Sequence, residues 1–164
     1  MKQQIILVRG LPGSGKTTYA KEYVRKNTDF AHVESDMWFE TKDGYKFSMG
    51  ELTSAHTWCV TQTETAARSG ANVIVSNTFT MAAECAPYFV IADKYDLNMG
   101  IVDCCESYGS IHNVPDLTIE IMRDRRMVTE DVKNMFKGKD LSIFFNNPYE
   151  AYQFFSTYER VVYE

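Results

Sequence analysis

Apolar residues come in short uninterrupted runs along this chain, each halted by glycine or by a cluster of polar residues. Ile5-Ile6-Leu7-Val8 stops at a glycine-rich turn, Ala31-His32-Val33 leads into Glu34-Ser35-Asp36, and Val73-Ile74-Val75 lies between Gly70 and Ser76-Asn77-Thr78. Runs this short and continuous predict buried parallel strands rather than half-exposed ones. Met99 to Asp103 reads as a fourth strand. Between the strands the pattern is helical. Thr17 to about Lys26 has Tyr19, Ala20 and Tyr23 available to face the sheet, and Glu51 to Arg68 is closed by Ser69-Gly70. Met81 to Tyr95 is helical with a kink or a break at Pro87, and Asp116 to Met127 follows Pro115. Strands alternating with helices predict an α/β layered fold, a mostly parallel central sheet flanked by helices, with its ligands at the carboxyl ends of the strands.

The segment Gly10-Leu11-Pro12-Gly13-Ser14-Gly15-Lys16-Thr17 completes the pattern G-x-x-x-x-G-K-[ST] at one such carboxyl end, between a predicted strand and a predicted helix. Its glycines permit backbone conformations that turn successive N–H groups toward one point, and the helix that follows adds the positive end of its dipole. Such a nest fits an anion of polyphosphate size. The expected ligands are ATP and Mg²⁺, with residues 10–18, including Thr18, on the nucleotide. Lys16 reaches the β- and γ-phosphates, and the Thr17 hydroxyl completes the coordination of the cation.

The acceptor side has several candidates. Asp36 lies just past the second strand, where its carboxylate can take a proton from an attacking hydroxyl; Ser35-Asp36 can also cap a helix starting at Met37, and the two uses are compatible. Asn77 and Thr78 end the Val73–Val75 strand and either hydrogen-bond a phosphate or a metal-bound water or form a polar turn without a ligand. Trp38 and His56 are placed with the acceptor, although for His56 and Trp58 core packing is the default. Arg123 and Arg126 are three apart on a predicted helix, which puts them on one face, either closing over the transferring group or forming a solvated basic face.

Composition narrows the setting. The chain has 164 residues, 45% of them hydrophobic, which describes one compact domain over 1–164. No apolar run approaches the roughly 20 residues of a membrane span, and the start lacks the apolar segment of a signal peptide, so no membrane partner and a cytoplasmic location are expected. Cys59, Cys85, Cys104 and Cys105 suit neither a disulfide scaffold nor a zinc site and read as reduced and mostly packed inside. A net charge of −5 argues against coating long nucleic acid by phosphate neutralisation. Positive charge is nonetheless concentrated: residues 1–30 hold six basic and two acidic residues, and residues 123–139 hold six and three. The tail, residues 142–164, carries Phe144, Phe145, Tyr149, Tyr152, Phe154, Phe155, Tyr158 and Tyr163. Helical spacing there favours packing against the sheet or a partner subunit, the latter a route to an oligomer, over stacking with bases.

With Arg9 to Thr18, Glu34-Ser35-Asp36, Gly44-Tyr45-Lys46-Phe47, Ala55-His56-Thr57-Trp58-Cys59, Val73 to Thr78 and His112-Asn113-Val114-Pro115, the chain resembles the polynucleotide-kinase-like branch of P-loop kinases over residues 4 to 127. That branch includes phage polynucleotide 5′-kinases, and P-loop kinases thought to phosphorylate hydroxymethylated bases in phage DNA look like relatives. The resemblance implies a three-layer P-loop NTPase fold and transfer of the ATP γ-phosphate to a hydroxyl of nucleic acid, DNA rather than RNA, with Asp36 as the base; a phage protein would do this in the host cytoplasm. A small-molecule kinase on a nucleoside or sugar is the nearest enzymatic alternative, and a nucleotide-binding interaction module without turnover the other. Two departures stand out. The acidic residue, or Asp-Asn pair, expected after the third strand is Ser76-Asn77, and the lid stretch Ser107-Tyr108-Gly109-Ser110-Ile111 lacks arginine, which leaves Arg123 or Arg126 to supply one.

Overall fold

A computed structural model describes residues 1–109 and 112–163, with side chains through Thr157. Ser110 and Ile111 of the lid stretch, the side chains of Tyr158 and Tyr163, and Glu164 lie outside the described residues. In chain order the elements are β1 (Gln4–Arg9), α1 (Lys16–Lys26), β2 (Phe30–Val33), a 3-10 turn (Ser35–Phe39), β3 (Glu40–Thr41), β4 (Gly44–Tyr45) and a second 3-10 turn (Met49–Glu51). There follow α2 (Leu52–Arg68), β5 (Asn72–Ser76), α3 (Ala82–Lys94), β6 (Asn98–Asp103), α4 (Asp116–Arg125), α5 (Thr129–Phe136), α6 (Leu141–Phe144) and α7 (Pro148–Tyr163).

The main sheet has the order β2-β5-β1-β6, and all its pairings are parallel. β1 lies between β5 and β6, which is why its apolar run is continuous and buried on both faces. Alternate residues divide between two cores. Ile5 and Leu7 join Val73 and Val75 under α2, α3, α5, α6 and α7, whereas Ile6, Val8 and Ile74 pack with Ala20 of α1 and Phe30. The result is the expected layered α/β architecture, with α1 on one face and the other core-forming helices on the opposite face.

Several details differ from the sequence reading. The hairpin β3–β4 was not predicted; with two residues per strand it has no periodicity to read. Tyr19 is exposed and stacks on Tyr23 instead of facing the sheet. Helix α3 runs through Pro87 without a break, and nine of its thirteen residues are buried, so packing holds a helix that local propensity disfavours. Helix α4 stops at Arg125 and buries no residue; Arg126 is already extended, so Arg123 and Arg126 do not share a helix face. The aromatic tail packs on α3, not on the sheet: Ala151 and Phe155 of α7 enter the larger core, and Phe155 meets Phe136 edge-on. Cys59 and Cys85 are buried, but Cys104 is half-buried and Cys105 exposed; none of the four forms a disulfide among the described residues. No helix among the described residues is long and apolar enough to cross a membrane.

Candidate functional site

The glycine loop bridges the end of β1 and the start of α1, and its backbone takes the conformations that its composition permits. Gly13 and Gly15 have φ of 79° and 87°, in the left-handed region. Gly15 is the N-cap of α1 and offers no side chain, so the first N–H groups of the helix are not capped by the residue before them. Ser14 is buried, and its Oγ has no hydrogen-bond partner among the described residues. Unclaimed donors around a left-handed turn at a helix start suit a polyphosphate. The loop is held from both sides: Gly10 N–H donates to the Thr78 carbonyl at 3.3 Å, and Tyr108 N–H donates to the Gly13 carbonyl at 2.7 Å. The Tyr108 ring lies over Gly15.

Lys16, the first residue of α1, donates from Nζ to the Leu11 carbonyl at 2.9 Å, folded over its own loop. Burial lowers its pKa, opposed by the carboxylates of Asp36 and Glu34 and by Cys104. Asp36 is therefore near enough to the loop lysine for its charge to act there. Thr17, next along α1, donates to Glu34 Oε2 at 2.8 Å, and Ser76 Oγ donates to the same oxygen at 2.7 Å. His32 Nε2 lies 2.8 Å from Ser76 Oγ and 3.6 Å from Glu34 Oε2. Burial pushes the Glu34 carboxyl up, but His32, Ser76 and Thr17 together outweigh it and hold the group below its ordinary value. The donor set around Thr17 is made of hard oxygens, the type Mg²⁺ takes alongside nucleotide and water.

Asp36 sits in the first 3-10 turn. That turn has Glu34 as its N-cap and no side-chain cap bond, so the capping role open to Ser35-Asp36 is not the one they take. Asp36 Oδ1 accepts from the Tyr45 hydroxyl at 3.1 Å, and His112 Nε2 is 3.7 Å from Oδ2. The Tyr45 and His112 rings stack with centroids 4.1 Å apart. Burial, then the nearby Asp36 charge, pushes the Tyr45 hydroxyl well above its usual value, so it remains a donor.

Asn77 and His56 are both bonded to groups of the chain itself. Asn77 Oδ1 accepts from Ser35 N–H at 2.9 Å, and its amide donates to Cys59 Sγ at 3.5 Å. His56 Nδ1 lies 3.0 Å from Ser35 Oγ. Both residues brace the turn beneath Asp36, and burial lowers the His56 pKa against the pull of Glu84 and Asp36. Thr78 supports the loop through its carbonyl, Thr18 is exposed in the first turn of α1, and Trp38 is half-exposed with its ring tilted against Trp58.

The arginines separate. Arg126 pairs with Asp103 at the end of β6, and Arg123 is exposed on α4. Arg125 reaches Thr80 Oγ1 at 3.0 Å and Glu84 at 3.8 Å. The guanidinium of Arg9 is fully buried and donates to the Phe79 carbonyl at 2.8 Å and to Thr129 Oγ1 at 2.9 Å. Sequence reasoning gave no role to Glu34, Tyr45 or His112. The available signal for Glu34 was position: a polar residue directly after a buried parallel strand stands at the sheet edge where ligands bind.

Residues 5–111, well over half of the chain, match the AAA domain family. The chain is 30% identical over 92 residues to NEDD4-binding protein 2 of Homo sapiens; the match takes in 56% of this chain and only 5% of that protein. Among solved structures, the chain is similar to the Mycobacterium tuberculosis APS kinase CysC Cys556Ala mutant, with a TM-score of 0.52 and 17% identity over 76% of this chain and 96% of that one. It is also similar to a chain of the Pnkp1/Rnl/Hen1 RNA repair complex, with a TM-score of 0.54 and 13% identity over 93% of this chain and 45% of that one. At these identities the likeness concerns the fold, a parallel sheet flanked by helices and shared with P-loop kinases. By its glycine loop, its strand order and the extent of the family match, the chain belongs to the AAA domain family and has the fold of a P-loop kinase-like domain.

Proposed function

We propose that the chain is an ATP- and Mg²⁺-dependent phosphotransferase acting on a hydroxyl of nucleic acid, either a 5′ end or a hydroxymethylated base in DNA, within a single kinase domain. The observation that supports the reading is the glycine loop with Gly13 and Gly15 in left-handed conformations at the uncapped start of α1, with Lys16 as the first helical residue and the Asp36 charge near enough to act on it. The glycine loop holds the phosphates and Lys16 binds the β- and γ-phosphates as a point charge. Mg²⁺, when bound, neutralises charge on those phosphates, with Thr17 as the residue that would hold it. Asp36 takes the acceptor proton as the acceptor oxygen bonds to the γ-phosphorus and the bond from phosphorus to the bridging β–γ oxygen breaks, releasing ADP. Tyr45 and His112 orient the carboxylate during that transfer.

The ordered motifs support the nucleic-acid acceptor, among them Glu34-Ser35-Asp36 and His112 to Pro115, together with the two basic concentrations. The test is incubation with γ-labelled ATP and a panel of 5′-hydroxyl oligonucleotides, hydroxymethylated duplex DNA, nucleosides and sugars. Label on an oligonucleotide end or on the modified base is expected. Label only in small molecules assigns a small-molecule kinase instead, and ATP binding without transfer to any acceptor assigns a nucleotide-dependent interaction module.

A further inference from the structure

Cys104 and Cys105 are adjacent thiols directly after β6, one half-buried and the other exposed. The segment they open runs along the glycine loop. Cys104 N–H donates to the Arg9 carbonyl at 2.8 Å, and Tyr108 N–H donates to the Gly13 carbonyl at 2.7 Å. Where Gly10 would carry a Cβ, the Cys104 carbonyl oxygen lies 2.5 Å away and Cys104 Cβ 3.2 Å away, beside the unpartnered hydroxyl of buried Ser14. That carbonyl belongs to the peptide joining the two cysteines. Burial raises the Cys104 pKa and the Lys16 charge opposes it, so the thiol stands within electrostatic reach of the loop lysine.

Linking the two sulfurs would deform this one peptide. Consecutive Cα atoms are about 3.8 Å apart across a trans peptide, whereas a disulfide ordinarily spans about 4.4–6.8 Å between Cα atoms. Closing the ring therefore twists the peptide between the neighbours, and the Cys104 oxygen loses its place against Gly10. The same strain makes the bond easy to reduce. Building on the nucleotide-site reading, we infer that Cys104 and Cys105 form a thiol-modification site that takes a low-molecular-weight disulfide and reversibly disables the glycine loop. Cys105, the exposed thiol, attacks one sulfur of the external disulfide as its thiolate, giving a mixed disulfide and releasing one small thiol. Cys104 then attacks the Cys105 sulfur, closing the Cys104–Cys105 bond and releasing the second small thiol. The pair loses two electrons and two protons, and the external disulfide gains both as two thiols.

The test equilibrates the full chain in a buffer of reduced and oxidised glutathione, traps the thiols, maps the bonds by mass spectrometry and measures the affinity of a fluorescent ADP analogue. A Cys104–Cys105 disulfide is expected, with affinity about 10-fold or more below that of the reduced protein, as strain of a few kcal/mol at the loop implies, and with full recovery in dithiothreitol. Cys105→Ser, which lacks the entry thiol, is expected to bind like the reduced wild type before and after treatment. Saturating ADP in the same buffer is expected to lower the oxidised fraction, because coupling between two sites is reciprocal. A reaction that stops at a mixed disulfide, a Cys104–Cys105 bond that leaves affinity unchanged, or an oxidised fraction unmoved by ADP overturns the proposal. An equal loss of affinity in treated Cys105→Ser does so too, since it places the sensitive thiol elsewhere. Failure of the reduced wild type to bind the analogue overturns the nucleotide reading and the control of it, while the mapping still decides whether the pair takes the disulfide, so the two failures are distinguishable.

Discussion

Gly10 tests the geometry of the loop more sharply than the residues that bear its chemistry. It follows the last residue of β1, and a Cβ added there would meet Ser14 Oγ, the Cys104 carbonyl oxygen at 2.5 Å and Cys104 Cβ at 3.2 Å. Non-bonded heavy atoms settle near 3.5–4 Å, so the overlap is on the order of 1 Å. The Ser14 side chain can rotate away. The Cys104 carbonyl cannot, because its residue is tied to β1 through Cys104 N–H and the Arg9 carbonyl at 2.8 Å. Relief therefore requires the exits of β1 and β6 to part, weakening that bond. Overpacking of this kind costs about 1–3 kcal/mol, and the strained hydrogen bond adds up to about 1. For a chain of this size Gly10→Ala should lower the melting temperature by roughly 2–16 °C. Gly44→Ala is the control: its φ of 102° brings backbone strain, but nothing lies within 4 Å of the added carbon. It should cost only about 1 kcal/mol. Calorimetric melts of the three proteins, with nucleotide titrations, separate the terms; Gly10→Ala should also weaken nucleotide binding, and Gly44→Ala should not. Equal melting losses in the two variants, with unchanged nucleotide affinity in both, would refute the close approach of β6 to the loop.

Other expectations follow from the same geometry. Lys16→Ala should abolish transfer, while Asp36→Asn should keep nucleotide affinity and lose a factor of about 10² or more in rate; an Asp36→Asn variant of full activity removes Asp36 as the base. Tyr45→Phe deletes one hydrogen bond to Asp36 and should slow transfer about 2- to 10-fold with nucleotide affinity unchanged, so a parallel loss of affinity counts against an orienting role. His56 has its pKa lowered in the folded chain, so above the unfolded value of about 6.5 both states are neutral and nothing is lost. Below that value the unfolded chain takes up a proton that the folded chain refuses, and stability falls as the pH drops. Urea midpoints at pH 7.5 and 5.5 should therefore differ less in His56→Gln than in the wild type; an identical difference shows that other groups set the acid sensitivity.

Continuous apolar runs made the central strands legible, because a strand covered on both faces has no polar positions to blur it; Ile5 to Val8 and Val73 to Val75 are such strands. The glycine loop was legible because phosphate binding constrains both letters and spacing. The acceptor side was less so. For His56 the default was core packing and for Asn77 a ligand and a plain polar turn were both open; each is bonded to Ser35, a side of the turn that composition does not tell. Arg9 stood in a basic segment and at the head of the glycine-loop motif with no role of its own, whereas its buried guanidinium gathers the carbonyls of Phe79 and Thr80 after β5. Phe79 has a φ of 46°, a conformation that needs such outside support. The short helices α5 and α6 carry too few residues for periodicity to declare them; they are set by Val132, Phe136 and Leu141 entering a core that other helices define.

The junction of β2 with its 3-10 turn concentrates the chemistry into three consecutive residues. Glu34, still aligned with the sheet, points to Thr17 and Ser76. Ser35, buried, is held by Asn77 and His56. Asp36, one residue into the turn, meets Tyr45 and His112. A strand alone sends successive side chains to opposite faces, which would give the two carboxylates the same side and a mutual repulsion. Switching from strand to 3-10 turn at Ser35 breaks that alternation and separates the charges, one toward Thr17 and Ser76 and one toward Tyr45 and His112. Ser35 is therefore the pivot, and Asn77 and His56, which hold it, fix the angle at which the two acids diverge.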